Sequence, residues 1–230
     1  MAIIPARGGS KRIPRKNIRM MSGRPLITWA VEAALASGVF DDVVVTTDDD
    51  EIASIAGDAG ASIPFIRPPE LSDDYTPTVP VIAHAVAALD QLGASYEFAC
   101  CLYPAAIFLV PEDFAASLEL LKRNPRHKYA ATVTRYAAPV QEAMELGPDG
   151  TIRFLWPEHY GTRTQEFAER WHDAGQLYWG RREAWTEHHS IFDLAVGYSL
   201  PPWRVQDIDD EDDWRRAEVM HTLFLMEQQR

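Results

Sequence analysis

The chain begins with a compact apolar run, Ala2-Ile3-Ile4-Pro5, and apolar blocks then recur with two alternating periods. The first run predicts a short buried strand. So do the β-branched Val43-Val44-Val45-Thr46-Thr47, Ser62 to Ile66, Tyr96 to Leu102 and Tyr129 to Thr134. Between them, Leu26, Trp29, Ala30 and Ala33 fall at helical spacing, which predicts a helix from Leu26 to Ser37 with Gly38 at its C-terminal cap. Asp48 to Ala59 reads as a helix with acids in its first turn and Gly60 at its end. Thr78 to Leu92 reads as another, stopped by Gly93, and Pro111 to Lys122 as a fourth with proline in its first position. Strands alternating with helices predict an α/β fold with a mostly parallel sheet covered by helices on both faces.

After about residue 135 the rhythm changes. Ala143 to Leu146 and Thr151 to Leu155 flank Pro148-Asp149-Gly150, which predicts a β-hairpin. Trp156 to Arg170 is polar and aromatic without a period, as in an insertion lying over a site or against a second subunit. Strand character returns at Gln176 to Trp179 and Leu194 to Leu200. A final helix, Asp210 to Glu227, sets Trp214, Ala217, Met220 and Phe224 roughly on one face. The expected organisation is a single domain over 1–230 with an insertion at about 136–175.

Composition narrows the function classes. A 230-residue chain that is 47% hydrophobic can bury a substantial core. It contains no uncharged apolar run of ~18 residues, so no membrane span is expected. Cys100 and Cys101 are adjacent and point to opposite faces of a strand, which makes them buried thiols of a reducing cytoplasm and not a disulfide. A formal net charge of −12 speaks against general nucleic-acid binding. Yet residues 1–31 carry seven basic side chains and no acid. A local cationic loop on an acidic body suits a compact anion.

That loop, Ala6-Arg7-Gly8-Gly9-Ser10-Lys11-Arg12-Ile13-Pro14-Arg15-Lys16-Asn17, follows the first strand, where open parallel sheets bind ligands. Gly8 and Gly9 let backbone amides approach phosphate oxygens, Arg7 can grip them bidentately, and Lys11 and Lys16 add point charges. Neither the ATPase phosphate loop nor the dinucleotide fingerprint is present. Asp207 and Asp209 stand at i and i+2 before the last helix. They either offer hard oxygens to a cation or favour the helix dipole, with Asp209 as an N-cap. Asp48-Asp49-Asp50-Glu51 reads as a charged helix start, and His188-His189 as a solvated turn.

Ile3-Ile4-Pro5-Ala6-Arg7-Gly8-Gly9-Ser10-Lys11-Arg12-Ile13-Pro14-Arg15-Lys16-Asn17 resembles the signature of the sugar-acid cytidylyltransferases, which make CMP-activated nonulosonic acids. Thr46-Thr47-Asp48-Asp49, Arg67-Pro68, Leu71-Ser72-Asp73-Asp74 and Gln206-Asp207-Ile208-Asp209 match in the same order. His172 to Gly180 and Arg204 to Asp209 most resemble the members that act on pseudaminic acid. Tyr103-Pro104-Ala105-Ala106-Ile107-Phe108 departs from the family pattern by losing a threonine hydroxyl and a second proline.

The resemblance implies a Rossmann-like fold, Mg²⁺, a homodimer formed through the insertion, and a reaction of CTP with a nine-carbon α-keto acid sugar to give CMP-sugar and pyrophosphate. Legionaminic, sialic or deoxyoctulosonic acid are the alternative sugars, and a non-catalytic nucleotide-binding module is the alternative outside enzymes. Carried onto this chain, it implies Arg7, Lys11, Lys16 and Asp209 as catalytic residues and Asp207 with Asp209 as metal ligands. The nucleotide would meet Ala6 to Lys11, Lys16, Asn17, Arg67, Ser72 and Thr76. The sugar would meet Tyr103, Gln141, Arg163, His172, Asp173 and Gln176. Arg163 is equally an interface arginine, and His172 equally a structural histidine.

Overall fold

In a computed structural model of the chain, residues 1–187 and 190–228 are described, so the His188-His189 pair lies outside them. The first half alternates as the pattern predicts: β1 (Ala2–Pro5), two short strands β2 (Met20–Met21) and β3 (Arg24–Pro25), α1 (Leu26–Ala36), β4 (Val43–Thr46) and α2 (Asp50–Asp58). Then come α3 (Thr78–Gln91), β5 (Phe98–Leu102), α4 (Pro111–Arg123) and β6 (Tyr129–Arg135). A small hairpin, β7 (Met144–Leu146) and β8 (Ile152–Phe154), precedes β9 (Trp171–Arg181), α5 (Arg182–Thr186), β10 (Ala195–Ser199) and α6 (Glu211–Gln228). Gly38, Gly60 and Gly93 follow α1, α2 and α3 with positive φ, the left-handed step that ends a helix.

Six strands form the central sheet in the order β10-β6-β9-β5-β1-β4. β1 pairs parallel with β4 and β5, and β10 parallel with β6, but β9 runs antiparallel to both its neighbours. The sheet is mostly parallel, as expected, with β9 its one antiparallel strand among the described residues. One expectation is corrected here. Ser62 to Ile66 is no ladder strand: Ser62 makes one bridge to Val44, and Pro64 has no N–H with which to continue.

Alternate residues of β1 and β5 feed two cores. Ile4, Cys100 and Leu102 pack with Ile27, Ala30 and Val31 of α1 and with Phe114 of α4. Ile3, Ala99 and Cys101 pack with Ile82, Ala85 and Val86 of α3 and with Trp185 of α5. The two cysteines are free thiols on opposite faces. Tyr178 and Trp179 divide in the same way, so both rings are core. A third cluster joins Ile13, Met21, Leu26 and Phe108 to Ile208 and to Trp214, Ala217 and Phe224 of α6. Ile13 and Ile208 are both 0% exposed, and burying each is worth about 1.5–3 kcal/mol. These two anchors pin the cationic loop and the Asp207–Asp209 segment to one wall.

The same wall holds His221, which the sequence reading left out although it lies on the buried face of α6. It is fully enclosed, edge-on to Trp29 at 4.5 Å, with Nδ1 2.9 Å from Ser22 Oγ. Burial lowers its pKa to about 4. The imidazole is neutral in the fold, so its share of stability is present above the ordinary value near 6.5 and is lost as pH falls toward about 4. The loss approaches about 3 kcal/mol. Urea midpoints should therefore fall more steeply between pH 6.5 and 4 for the unaltered chain than for His221→Gln. Parallel curves would assign the acid sensitivity elsewhere.

Candidate active site

The order of the strands sets where a ligand can sit. From β1 the chain crosses to β4 on one side and from β5 to β6 on the other, so the connections that leave the adjacent carboxyl ends of β1 and β5 diverge. A cavity of about 370 Å³ opens there, between Pro5 at the end of β1 and Tyr103 after β5. Its walls include Arg7, Arg12, Lys16 and Asn17 of the cationic loop, Arg67 and Thr76, and Asp207 with Asp209. A second cavity of about 330 Å³, lined by Ser10, Lys11, Arg12, Lys16 and Asp209, adjoins it. The first volume falls within the range of small-ligand sites.

The loop is held in place by the acidic run at 48–51, which does more than start a helix. Asp49 caps α2 by accepting from Ile52 N at 2.9 Å and also pairs with Arg15, whose second nitrogen bonds Asp49 Oδ1 at 3.1 Å. Glu51 takes Arg15 too, at 2.5 Å. Arg15 sits at φ 58°, a left-handed position that a non-glycine residue occupies at a cost, and these two carboxylates fix it there. Asn17 is buried and donates to Arg7 O at 3.0 Å, so in this structure it braces the loop. Ala6 is buried and continues the sheet through Ala6 N to Thr46 O at 3.0 Å. Gly8 donates its amide to Asp48 Oδ1 at 3.1 Å, and a Cβ there would come within 2.6 Å of Asp49 Oδ2. Only glycine lets the loop lie this close to α2.

The cations are arranged unequally. Arg7 pairs with Asp74 at 2.8 Å and donates to Asp73 O at 2.5 Å, and Lys11 also pairs with Asp74. Lys16 donates Nζ to Ile208 O at 2.7 Å, and it joins no ion pair among the described residues. Burial lowers its pKa, against the pull of Asp209 and Asp207. Asp207 keeps a solvent-facing edge, yet the protein around it strips water from the carboxylate. That desolvation, with the Asp209 charge beside it, raises its pKa. A carboxylate short of water, with a like charge beside it, is one that gains from a cation.

Arg67 is 4% exposed; its Nε donates to Ser72 Oγ at 3.1 Å, and its outer nitrogen lies 3.5 Å from Asp48 without a hydrogen bond. Burial lowers its pKa despite Asp48. Thr76 is held by Asp73, whose Oδ1 accepts from Thr76 N at 2.6 Å and Thr76 Oγ1 at 2.7 Å.

The residues expected at the sugar do not all meet. Tyr103 lines the cavity and shares a hydrogen bond of 2.5 Å with Thr78. His172 and Asp173, expected in the insertion, belong to β9 and pair with Thr134 and Val133. Asp173 spends both oxygens internally, on Gly175 N at 3.0 Å and Tyr178 Oη at 2.6 Å. It thereby braces an irregularity in β9 where Gly175, at φ 62°, faces the cavity. His172 is exposed against the Tyr136 ring. Gln176 is buried, its amide donating to Arg204 O at 2.8 Å and its Oε1 without a partner. Gln141 and Arg163 lie in the insertion, outside the cavity lining, with Arg163 exposed.

Two functional features escaped the sequence reading. Arg12 lines both cavities and pairs with Asp209 at 2.7 Å. The cap of α6 is Asp210 and not Asp209: Asp210 Oδ1 accepts from Asp212 N and Asp213 N, each at 2.9 Å, and Asp213 returns bonds to Asp209 N and Asp210 N. Asp209 is thus released from the structural duty that its position suggested.

Known proteins match this arrangement. Residues 1–146 match the family described as Cytidylyltransferase. The pseudaminic acid cytidylyltransferase of Campylobacter jejuni is 38% identical over 97% of this chain and 96% of its own. The N-acylneuraminate cytidylyltransferase of Escherichia coli is 28% identical over 94% of this chain and 51% of its own. The solved structure of CMP:2-keto-3-deoxy-manno-octonic acid synthetase complexed with CTP superimposes with a TM-score of 0.70 at 17% identity, covering 100% of this chain and 98% of that one. The chain belongs to the cytidylyltransferase family of nucleotidyltransferases.

Proposed function

We propose that the protein couples CTP to pseudaminic acid, giving CMP-pseudaminic acid and pyrophosphate. The observation that carries this reading is the cavity in which Arg7, Arg12 and Lys16 of the loop face Asp207 and Asp209 at the carboxyl ends of β1 and β5. The sugar assignment follows the Campylobacter jejuni relative, similar over nearly the whole of both chains.

In this reaction the sugar's anomeric oxygen bonds to the α-phosphorus, the bond from that phosphorus to the bridging oxygen breaks, and pyrophosphate leaves with that oxygen. The sugar hydroxyl loses its proton. Positioning and charge neutralisation carry most of such a step. Arg7 and Lys11 exchange Asp74 for phosphate oxygens, and Lys16, already without a carboxylate partner, meets the growing charge of the leaving group. Arg67, with Ser72 and Thr76, faces the nucleoside. Two adjacent carboxylates, one with a raised pKa, form a donor set that fits Mg²⁺, which takes few protein ligands and shares its shell with phosphates. Bound there, Mg²⁺ supplies Lewis-acid neutralisation of the triphosphate. One of these two aspartates accepts the sugar's proton.

The protein also acts as a homodimer. Leu146 at 74%, Ile152 at 66% and Tyr160 at 79% exposure crowd the insertion with Trp156 and Trp171, an apolar surface that a second copy would cover. Sedimentation should give twice the chain mass for the unaltered protein and a monomer for Leu146→Glu with Ile152→Lys.

Pyrophosphate release measured with CTP, Mg²⁺ and pseudaminic, legionaminic, sialic and deoxyoctulosonic acids tests the function. Pseudaminic acid should give the highest kcat/KM. Preference for another sugar overturns the substrate, and CTP binding without turnover on any sugar leaves only a binding module.

A further inference from the structure

The basic residues of the loop differ in how firmly they are held. Arg15 is committed to Asp49 and Glu51 and cannot leave without releasing a left-handed backbone and the neighbour of a helix cap. Lys16 rests on a carbonyl. Arg12 is different. Its side chain is 69% exposed, that of Asp209 is 40% exposed, and their contact at 2.7 Å joins the cationic loop directly to the acidic segment. An ion pair this open to water is worth little and breaks easily. Both of its members line the first cavity and the one beside it.

We propose that Arg12 and Asp209 form an exchangeable pair. Each neutralises the other in the empty site, and on loading Arg12 passes to the triphosphate while Asp209 passes to the divalent cation. The inference rests on the function proposed above and adds Arg12 to the residues that grip the nucleotide. Charge is conserved in the exchange, since one internal cation–anion contact gives way to two contacts with the incoming metal–nucleotide pair. The segment does not drift away when the pair opens, because Ile13 and Ile208 stay buried and Lys16 still holds Ile208 O. Linkage then follows: whatever occupies Asp209 frees Arg12, so metal and nucleotide assist each other through the protein as well as through their own contact.

The test measures CTP affinity in EDTA and Mn²⁺ affinity without nucleotide, the second by water-proton relaxation. Asp209→Asn removes Arg12's resting partner, so CTP in EDTA should bind about two- to fivefold more tightly. Arg12→Gln should bind Mn²⁺ tighter by about the same factor. It should bind CTP about tenfold more weakly, having lost a charged phosphate contact. The double variant should lose the gain of Asp209→Asn. A merely structural role would move both affinities in one direction. Arg12→Gln with unchanged CTP affinity, or Asp209→Asn with no gain in EDTA, overturns the exchange while leaving CTP binding by the unaltered protein intact. Absence of CTP binding by the unaltered protein would instead remove the proposed function and the pair with it.

Discussion

Turnover by Lys16→Met is expected to fall by about 10²–10³-fold, the usual cost of removing one preorganised donor from developing charge. The folded state should change little. Methionine loses the bond to Ile208 O, but it also removes an ammonium whose burial lowers its pKa, a sign that the charge is held at a cost, and the two effects offset. The thermal midpoint should move little while kcat collapses. The same split is not expected at Lys11, which is 80% exposed and shares Asp74 with Arg7, so its loss should show mainly as a higher KM for CTP. A Lys16→Met variant that melts early and keeps its kcat would make Lys16 a structural strut and move the reaction centre away from this loop.

The contrast between these lysines marks the limit of reading the chain alone. Period and caps disclosed α1 to α4, β1 and β4 to β6 because those features are local: apolar spacing, a β-branched run, a glycine past the helix end. The direction of β9 was not local. Alternation announces a strand but not which way it runs, and Trp171, His172 and Asp173 continue the strand where polarity suggested a loop. Ser62 to Ile66 looked like a strand by composition and is denied a ladder by Pro64. His221 was within reach, since it falls on the buried face set by Trp214, Ala217 and Phe224; polarity alone hid it.

At the site, the residue types were readable and their partners were not. The loop's cations stand within ten positions of one another, whereas Asp74 lies far along the chain from Arg7, and Asp209 lies 197 positions from Arg12. The acids of 48–51 looked like helix electrostatics. Asp49 does serve α2 in that way, while the same carboxylate fixes Arg15. One side chain can answer to a helix and to a loop at once, and only the fold shows the second partner.

Asp209 and Asp210 separate these two kinds of duty most sharply. The nucleotide-loaded reaction should be nearly extinguished in Asp209→Asn, by about 10²–10³-fold, since the variant withdraws an anionic oxygen from where the structure sets two carboxylates against the loop's cations. Its unfolding should hardly change. Asp209 caps nothing, and its backbone N–H still reaches Asp213 at 3.2 Å. The neighbouring Asp210→Ala should do the reverse. It deprives Asp212 N and Asp213 N of their acceptor, costs about 1 kcal/mol of stability, and leaves turnover within a fewfold of the unaltered chain. Two adjacent aspartates thus make a paired measurement: kcat and denaturation midpoint, each read on both variants. If Asp209→Asn keeps its turnover while Asp210→Ala loses it, the acidic end of the cavity has been assigned to the wrong carboxylate. In that case the cation would have to be held from Asp210, which is the side chain that the helix needs.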